Sequence, residues 1–411
     1  MLLQNTIKDI QNLSIFSKII LVVLLLTAII SIGRGISNAT SSELGTSASQ
    51  DFQWSPTVLL SKGVNPYLYY LNIVGGDLSI STSAVPIYCT TCDDAEINQT
   101  QYPNYAHGLY VLLLPFSKLD WSQAQKAWVL LSIVLTLITL VLLAQKSQLD
   151  RIPLLFIFLI YLSSTSLRNS LGSGQHSILI LFAFTCFFIG NSFSTLLSGI
   201  AYLKYSFAPP LGIYIFIKKG LKGFLLSITL PLVGFIIFYL MQSEKNLYSL
   251  FVQPLAVNSI AVGNGLSDYM TIASFITGID SKLLQILNLY FLPTIASIVL
   301  TFILIRRAND ALYEFSVLSL ISLLFFKHLI YDYIFLLPVL LYNVRHIKSI
   351  YSKISIMLIM HFWFFIKFLL SFEFYNFFAS SQISTVVNFT ILLIILFMVF
   401  LTRTKIKNNL S

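Results

Sequence analysis

Asp51 stands in the stretch SQDFQWSPTVLLSKGVNPYLYY, just past the first strongly apolar run of the chain. A lone carboxylate there has two uses. It can act as a general base on a bound hydroxyl, or it can cap the helix that follows. Spacing alone leaves both open. In KHLIYDY, His328 and Asp332 stand four residues apart. On a helix they share a face, where the carboxylate can hold the imidazole in one tautomer. The alternative is an interfacial polar cluster that anchors the helix. Lys204 in LKYSFAPP and Arg168 in SLRNSLGSGQH are cations within or beside apolar sequence. Such a charge either lines a polar cavity or snorkels to a headgroup. Gln175 and His176, at the end of the second stretch, can bind ligand hydroxyls or cap the next helix. The His328–Asp332 pair is too few ligands for a metal site, and no metal is expected. Cys186 lies in an apolar run, whereas Cys89 and Cys92 form CTTC in a polar one. With no second ligand pair for zinc, a local Cys89–Cys92 disulfide is expected, with free thiols as the alternative.

The elements that must position these groups are membrane helices. The chain has 411 residues, 56% hydrophobic and 10% charged, with mean hydropathy +0.83. That balance excludes a soluble domain. The first apolar run, Ile15 to Ile32, reads as a retained span. Further spans are expected near 123–143, 152–167, 174–190, 222–241, 284–305, 311–326, 328–343, 352–370 and 383–402. Two short apolar pieces between Asn191 and Ile217 meet at LKYSFAPP. The expectation is an all-α integral membrane protein, one polytopic domain over residues 1–411, with about 12 membrane segments.

An even count puts both termini on one side, and charge says which. The segments placed inside hold 15 of the 25 Lys and Arg residues but 4 of the 16 acids. The positive-inside rule therefore puts both termini in the cytoplasm. The net charge of +9 reads as anchoring against anionic lipid, with no nucleic-acid partner. Two long loops then face outward, 34–121 and 242–282, and long loops carry function. In the first, Trp54, Val58, Leu59 and Leu60 form the apolar side of an expected interfacial helix. Gly63 ends it, and Pro66 sets a turn that places Tyr67, Tyr69 and Tyr70 at headgroup depth. A second such element is expected over Tyr105–Phe116. Asp93, Asp94 and Glu96 read as solvated loop charge, and the aromatics near 362–378 as lipid-facing or packing residues.

Five stretches carry a family resemblance: DFQWSPTVLLSKGVNPY, QYPNYAHGLYVLLLPFSKLDWSQAQKAW, SGQHSILIL, SGIAYLKYSFAPPLGIYIFIKKG and KHLIYDYIFLLP. In this order, over Asp51 to Pro338, the chain resembles the bacterial mannosyltransferases that use polyprenol-phosphate-mannose. These are a branch of the multi-span GT-C glycosyltransferases. The resemblance implies a GT-C-type bundle in the bacterial inner membrane, a catalytic acid at Asp51 and a functional histidine at His328. It leaves sugar and acceptor open.

The chemistry agrees with that reading. No nucleotide sugar is available outside the cell, so a sugar donor there must arrive on a lipid. A polyprenyl phosphate leaves with little protonation, so one base can suffice, and attack opposite the phosphate inverts the anomeric carbon. Hydrolysis, by contrast, needs two carboxyl groups. Lys204, Arg168, Lys327 and His328 are candidates to meet the phosphate charge, while Gln175 and His176 are candidates for sugar hydroxyls. Asp268-Tyr269 in the second outer loop is a candidate cover for the acceptor, which would be a glycan, glycolipid or protein. No cofactor is expected. Two other readings stand beside this one: a lipid-linked sugar flippase or transporter, and a GT-C enzyme that moves another sugar such as aminoarabinose.

Overall fold

The computed structural model describes residues 9–41, 49–74, 101–188, 190–261, 269, 291–366 and 382–408. Cys89, Cys92, Asp93, Asp94, Glu96 and Asp268 lie outside them. The described chain is helical, with no strand. It is a membrane protein: four helices, Ile15–Ala39, Trp121–Ser147, Ala208–Met241 and Thr385–Ile406, are long and apolar enough to cross a bilayer. The bent pair Arg151–Ser163 and Thr165–Gly172 makes a fifth, with a 50° turn at the break.

Sequence accounts for the helix ends. Asp120 accepts a hydrogen bond from the Gln123 backbone N–H and starts the Trp121–Ser147 span. Asp310 does the same for Ala311–Phe325, and Ser164 caps the second half of the bent pair. Helix Ala208–Met241 is interrupted at Gly220, whose φ of 66° is left-handed. Gly212 and Phe224 approach across this break, so that a Cβ on Gly212 would lie 3.5 Å from the Phe224 ring. In a straight helix, twelve residues span about 18 Å. The chain therefore doubles back, at the cluster Lys218, Lys219 and Lys222. The two short pieces expected before it are Ser192–Leu197 and the 3-10 segment Ser198–Leu203, on one side of Lys204, and the helix from Ala208 on the other.

The loop after the first span differs from expectation. Trp54–Ser61 is a helix, but it is not one-sided. Trp54, Ser55, Thr57, Val58, Leu59 and Leu60 are all buried. The Trp54 indole N–H donates to the Phe116 carbonyl at 3.1 Å, and the Ser55 N–H to the Gln101 side-chain oxygen at 2.8 Å. Tyr67 and Tyr70 are likewise inside the protein. The Tyr67 hydroxyl donates to the Tyr105 carbonyl at 2.5 Å. The periodicity that reads as a lipid-facing stripe is here a fully packed short helix, because the rest of the loop covers its polar side. The expected element at Tyr105–Phe116 is present as His107–Leu113 followed by the 3-10 turn Leu114–Lys118.

His328 and Asp332 are not on an α-helix. Asp332 belongs to the 3-10 segment Ile330–Leu336, which runs into the helix Leu337–Arg345. Phe362 and Trp363 are buried, which makes them packing residues, and Cys186 is a buried free thiol.

Candidate active site

Asp51 is held by its backbone. Its N–H donates to the Ser173 carbonyl at 2.9 Å, and the Ser49 N–H to the Gly172 carbonyl at 3.1 Å. The Ser49 hydroxyl reaches the Ala39 carbonyl at the end of the first span, at 2.8 Å. These bonds stitch the loop to the C-terminal end of the bent pair. Gly174 makes the approach possible. Its φ is +66°, and a Cβ there would lie 3.0 Å from that of Phe52 and 3.1 Å from that of Ser49. Phe52 then stacks on Trp128, ring centres 4.9 Å apart, and fixes the loop to the Trp121–Ser147 span.

The capping role for Asp51 is overturned. The N-cap of Trp54–Ser61 is Gln53, in the left-handed region at φ 66°, and the first-turn Ser55 N–H is met by Gln101, not Asp51. The Asp51 side chain instead responds to Gln175 and to the charges of Lys204 and Asp332. It is partly accessible, while the protein around it strips away bulk water. Burial pushes its acid constant up to about 6; Gln175 and the Lys204 charge pull it back, and Asp332 raises it further. A carboxyl poised near the working pH is suited to general-base work.

Opposite stands a cluster on Asp332. The Lys204 ammonium lies 2.5 Å from Asp332 Oδ1 and donates to Ser177 Oγ at 3.1 Å. Ser177 Oγ also bonds Asp332 Oδ1, and Asp332 Oδ2 lies 2.7 Å from His328 Nδ1. The lone carboxylate of the sequence reading is therefore one of two. Asp332, however, has both oxygens engaged and is not free as a second acid. His328 is equally committed. Its Nε2 lies 3.0 Å from the Ser322 carbonyl and the residue is buried, so no ring nitrogen can turn to a substrate. It holds Asp332, reversing the expected order of support.

The remaining candidates divide. Gln175 is buried; its Oε1 accepts from the Tyr105 hydroxyl at 2.9 Å, and it caps nothing. His176 is enclosed between Tyr105 and Trp128, each ring 4.9 Å away, and has no face open to a sugar. Arg168 does not join the cluster; its neighbouring charge is Arg34 on the first span. Two tyrosines and a serine belong to the site although the sequence reading passed over them. The Tyr331 ring lies 5.4 Å under the Lys204 ammonium. Tyr105 binds Gln175, and Ser177 bridges Lys204 and Asp332. Tyr331 directly precedes Asp332 in KHLIYDY, the nearest thing to a signal.

Beside this cluster lies an apolar cavity of about 730 Å³, lined among others by Ala106, Leu203, Pro209, Phe216, Phe235 and Phe251. Ala106 and Leu203 directly follow Tyr105 and precede Lys204, and they are joined by the bond from the Ala106 N–H to the Leu203 carbonyl at 3.1 Å. Phe216 and Phe251 are largely exposed, so the wall opens outward.

The family profile described as glycosyltransferase family 87 matches residues 105–329, more than half of the chain. The chain belongs to glycosyltransferase family 87. No curated protein and no solved structure matches it. A family 87 glycosyltransferase is an enzyme that joins a sugar donor to an acceptor, so the transporter reading falls away. The matched stretch holds Tyr105, Gln175, Ser177, Lys204 and His328; Asp51 precedes it and Asp332 follows it.

Proposed function

We propose that the enzyme transfers a hexose, mannose by the sequence resemblance, from a polyprenyl phosphate to an acceptor on the outer face of the membrane, with Asp51 as base. One observation carries this reading: Asp51 senses the Lys204 charge, and an apolar cavity lies beside them, lined by Leu203 and Ala106, the sequence neighbours of Lys204 and Tyr105. A charged cluster beside an apolar cavity suits a substrate with a phosphate head and a lipid tail. In the proposed step the acceptor hydroxyl gives its proton to Asp51 and its oxygen attacks the anomeric carbon. The bond from that carbon to the phosphate oxygen breaks, and its electron pair leaves with the polyprenyl phosphate. Lys204, with Ser177 beside it, meets the charge that gathers there. The wider frame of this proposal is a GT-C-type bundle of about 12 segments with both termini cytoplasmic and an outward site in the bacterial inner membrane.

The test uses the purified full chain in detergent, with synthetic polyprenyl-phosphate mannose and a lipid and glycan extract of the host. Expected is a mannosylated product, with no sealed membrane needed, whose anomeric configuration by NMR is opposite to the donor's. Retention at that carbon would sink the single-base mechanism. Turnover of only a differently substituted donor, such as one bearing aminoarabinose, would replace the sugar. The raised acid constant of Asp51 adds a pH expectation. The base form grows as pH rises, so kcat/KM falls on the acid side with a midpoint near the Asp51 value of about 6. A midpoint at the ordinary carboxylate value would argue that the reacting base is another, solvated group.

A further inference from the structure

Lys204 is held on more sides than a counter-ion needs. An ammonium has three N–H donors. One meets Asp332 Oδ1 at 2.5 Å and another Ser177 Oγ at 3.1 Å, which leaves the third. Two aromatic rings lie close to the charge, the centre of the Tyr331 ring at 5.4 Å and that of Phe207 at 5.9 Å. Both fall within the range in which a cation is drawn to a ring face. Phe207 is buried and stacks on Phe335, ring centres 4.1 Å apart. Tyr331 is fixed through its backbone, whose carbonyl accepts from the Ser170 hydroxyl at 2.9 Å. It stands directly before Asp332 on the segment Ile330–Leu336, so one turn of chain carries both the ring and the carboxylate. Ser177, Phe207, His328 and Asp332 are buried. Lys204 and Tyr331 are the two members of this cluster with partial access.

We propose that Tyr331 is a positioning residue for phosphate binding: its ring draws the Lys204 ammonium to the accessible side of Asp332 and leaves one N–H for a phosphate oxygen. The inference rests on Lys204 being the group that meets the phosphate. Lysine is a point charge on a flexible stem, so its position depends on what surrounds the charge. Asp332 and Ser177 pull it inward. A ring face balances that pull without using a donor, because it attracts the charge and accepts no conventional hydrogen bond. A polar side chain at the same place would occupy the third N–H. Phe207 cannot substitute for Tyr331, since it is wholly buried and belongs to the inner wall of the cluster. The partly accessible ring also keeps water from one side of the ammonium, which strengthens its attraction for an anion.

The experiment measures the Kd of the full-length protein in detergent for synthetic undecaprenyl phosphate. Tyr331→Phe is the reference, and Tyr331→trifluorophenylalanine keeps the ring but removes the negative charge from its face. The fluorinated protein is expected to bind roughly five- to tenfold more weakly than the reference, the size of a partly desolvated cation–π contact. Both proteins should melt alike, because the two rings have nearly the same shape. The pair is then repeated in the Lys204→Met/Asp332→Asn background. There fluorination should change nothing, since the ring has no cation to hold. Equal affinity of reference and fluorinated protein overturns the proposal. An equal loss in both backgrounds also overturns it, because the ring would then act on the lipid directly. Where the fluorinated protein does not fold, Tyr331→Leu takes its place, and reference affinity in that variant overturns the proposal. Failure of the underlying reading looks different: Lys204→Met/Asp332→Asn itself would bind undecaprenyl phosphate as tightly as wild type.

Discussion

Asp51→Asn is expected to abolish sugar transfer and leave the protein folded. The lost base costs about 10²–10⁴-fold in rate, roughly 3–5 kcal/mol of barrier. Asn keeps an acceptor oxygen, and the backbone bonds from Ser49 and Asp51 to Gly172 and Ser173 do not involve the side chain. Since Gln53, not Asp51, is the N-cap of the helix, no cap is lost either. Stability separates this from a structural role. A carboxyl whose folded acid constant lies above its unfolded one weakens the fold increasingly as pH rises from the unfolded value toward about 6, and the penalty stays constant above. Asn carries no such penalty, so at pH 8 the variant should melt at or above the wild-type temperature. The measurements are single-turnover transfer and thermal unfolding on the same preparation. Near-normal transfer would end the assignment of Asp51 as base, and a variant that melts well below wild type would make it a structural residue.

Much of this site was legible because the chain is so apolar. Against a 56% hydrophobic background, Asp51, Lys204, His328 and Asp332 each stand out as charges or polar groups that lipid would not tolerate. Three of them, Lys204, Asp332 and His328, do meet, and Asp51 senses two of those. Direction was not legible. A spacing of four suggested that Asp332 serves His328, but which partner serves which depends on the Ser322 carbonyl that fills the other ring nitrogen. Nor could spacing show that His176 would be walled in by Trp128 and Tyr105. Tyr105 and Tyr331 were invisible for another reason. The chain has 21 tyrosines, and in a membrane protein most sites for them are packing or interfacial. The short helix at Trp54 misled in the opposite sense. Eight residues carry too little periodicity to tell a lipid-facing stripe from a helix that other loop residues cover completely.

Lys204→Met should be nearly as damaging to transfer as Asp51→Asn, but with a different signature. If Lys204 meets the phosphate charge in the transition state, removing it costs on the order of 10²–10³-fold in kcat, the usual size for one lost stabilising donor. The same ammonium also neutralises Asp332, whose side chain is 2% exposed. Breaking that pair leaves a buried carboxylate with only Ser177 and His328, a loss of about 3–5 kcal/mol of stability where the charge remains uncompensated. The single variant therefore loses both activity and melting temperature, which alone cannot separate the two roles. The double variant Lys204→Met/Asp332→Asn does. Neutralising the stranded carboxylate restores most of the melting temperature, since the Asn oxygen can still bond His328, but it returns no cation to the phosphate. Stability should recover while single-turnover release of polyprenyl phosphate stays low. If the double variant regains transfer together with stability, Lys204 is only a counter-ion for Asp332, and the leaving phosphate must be met by another group.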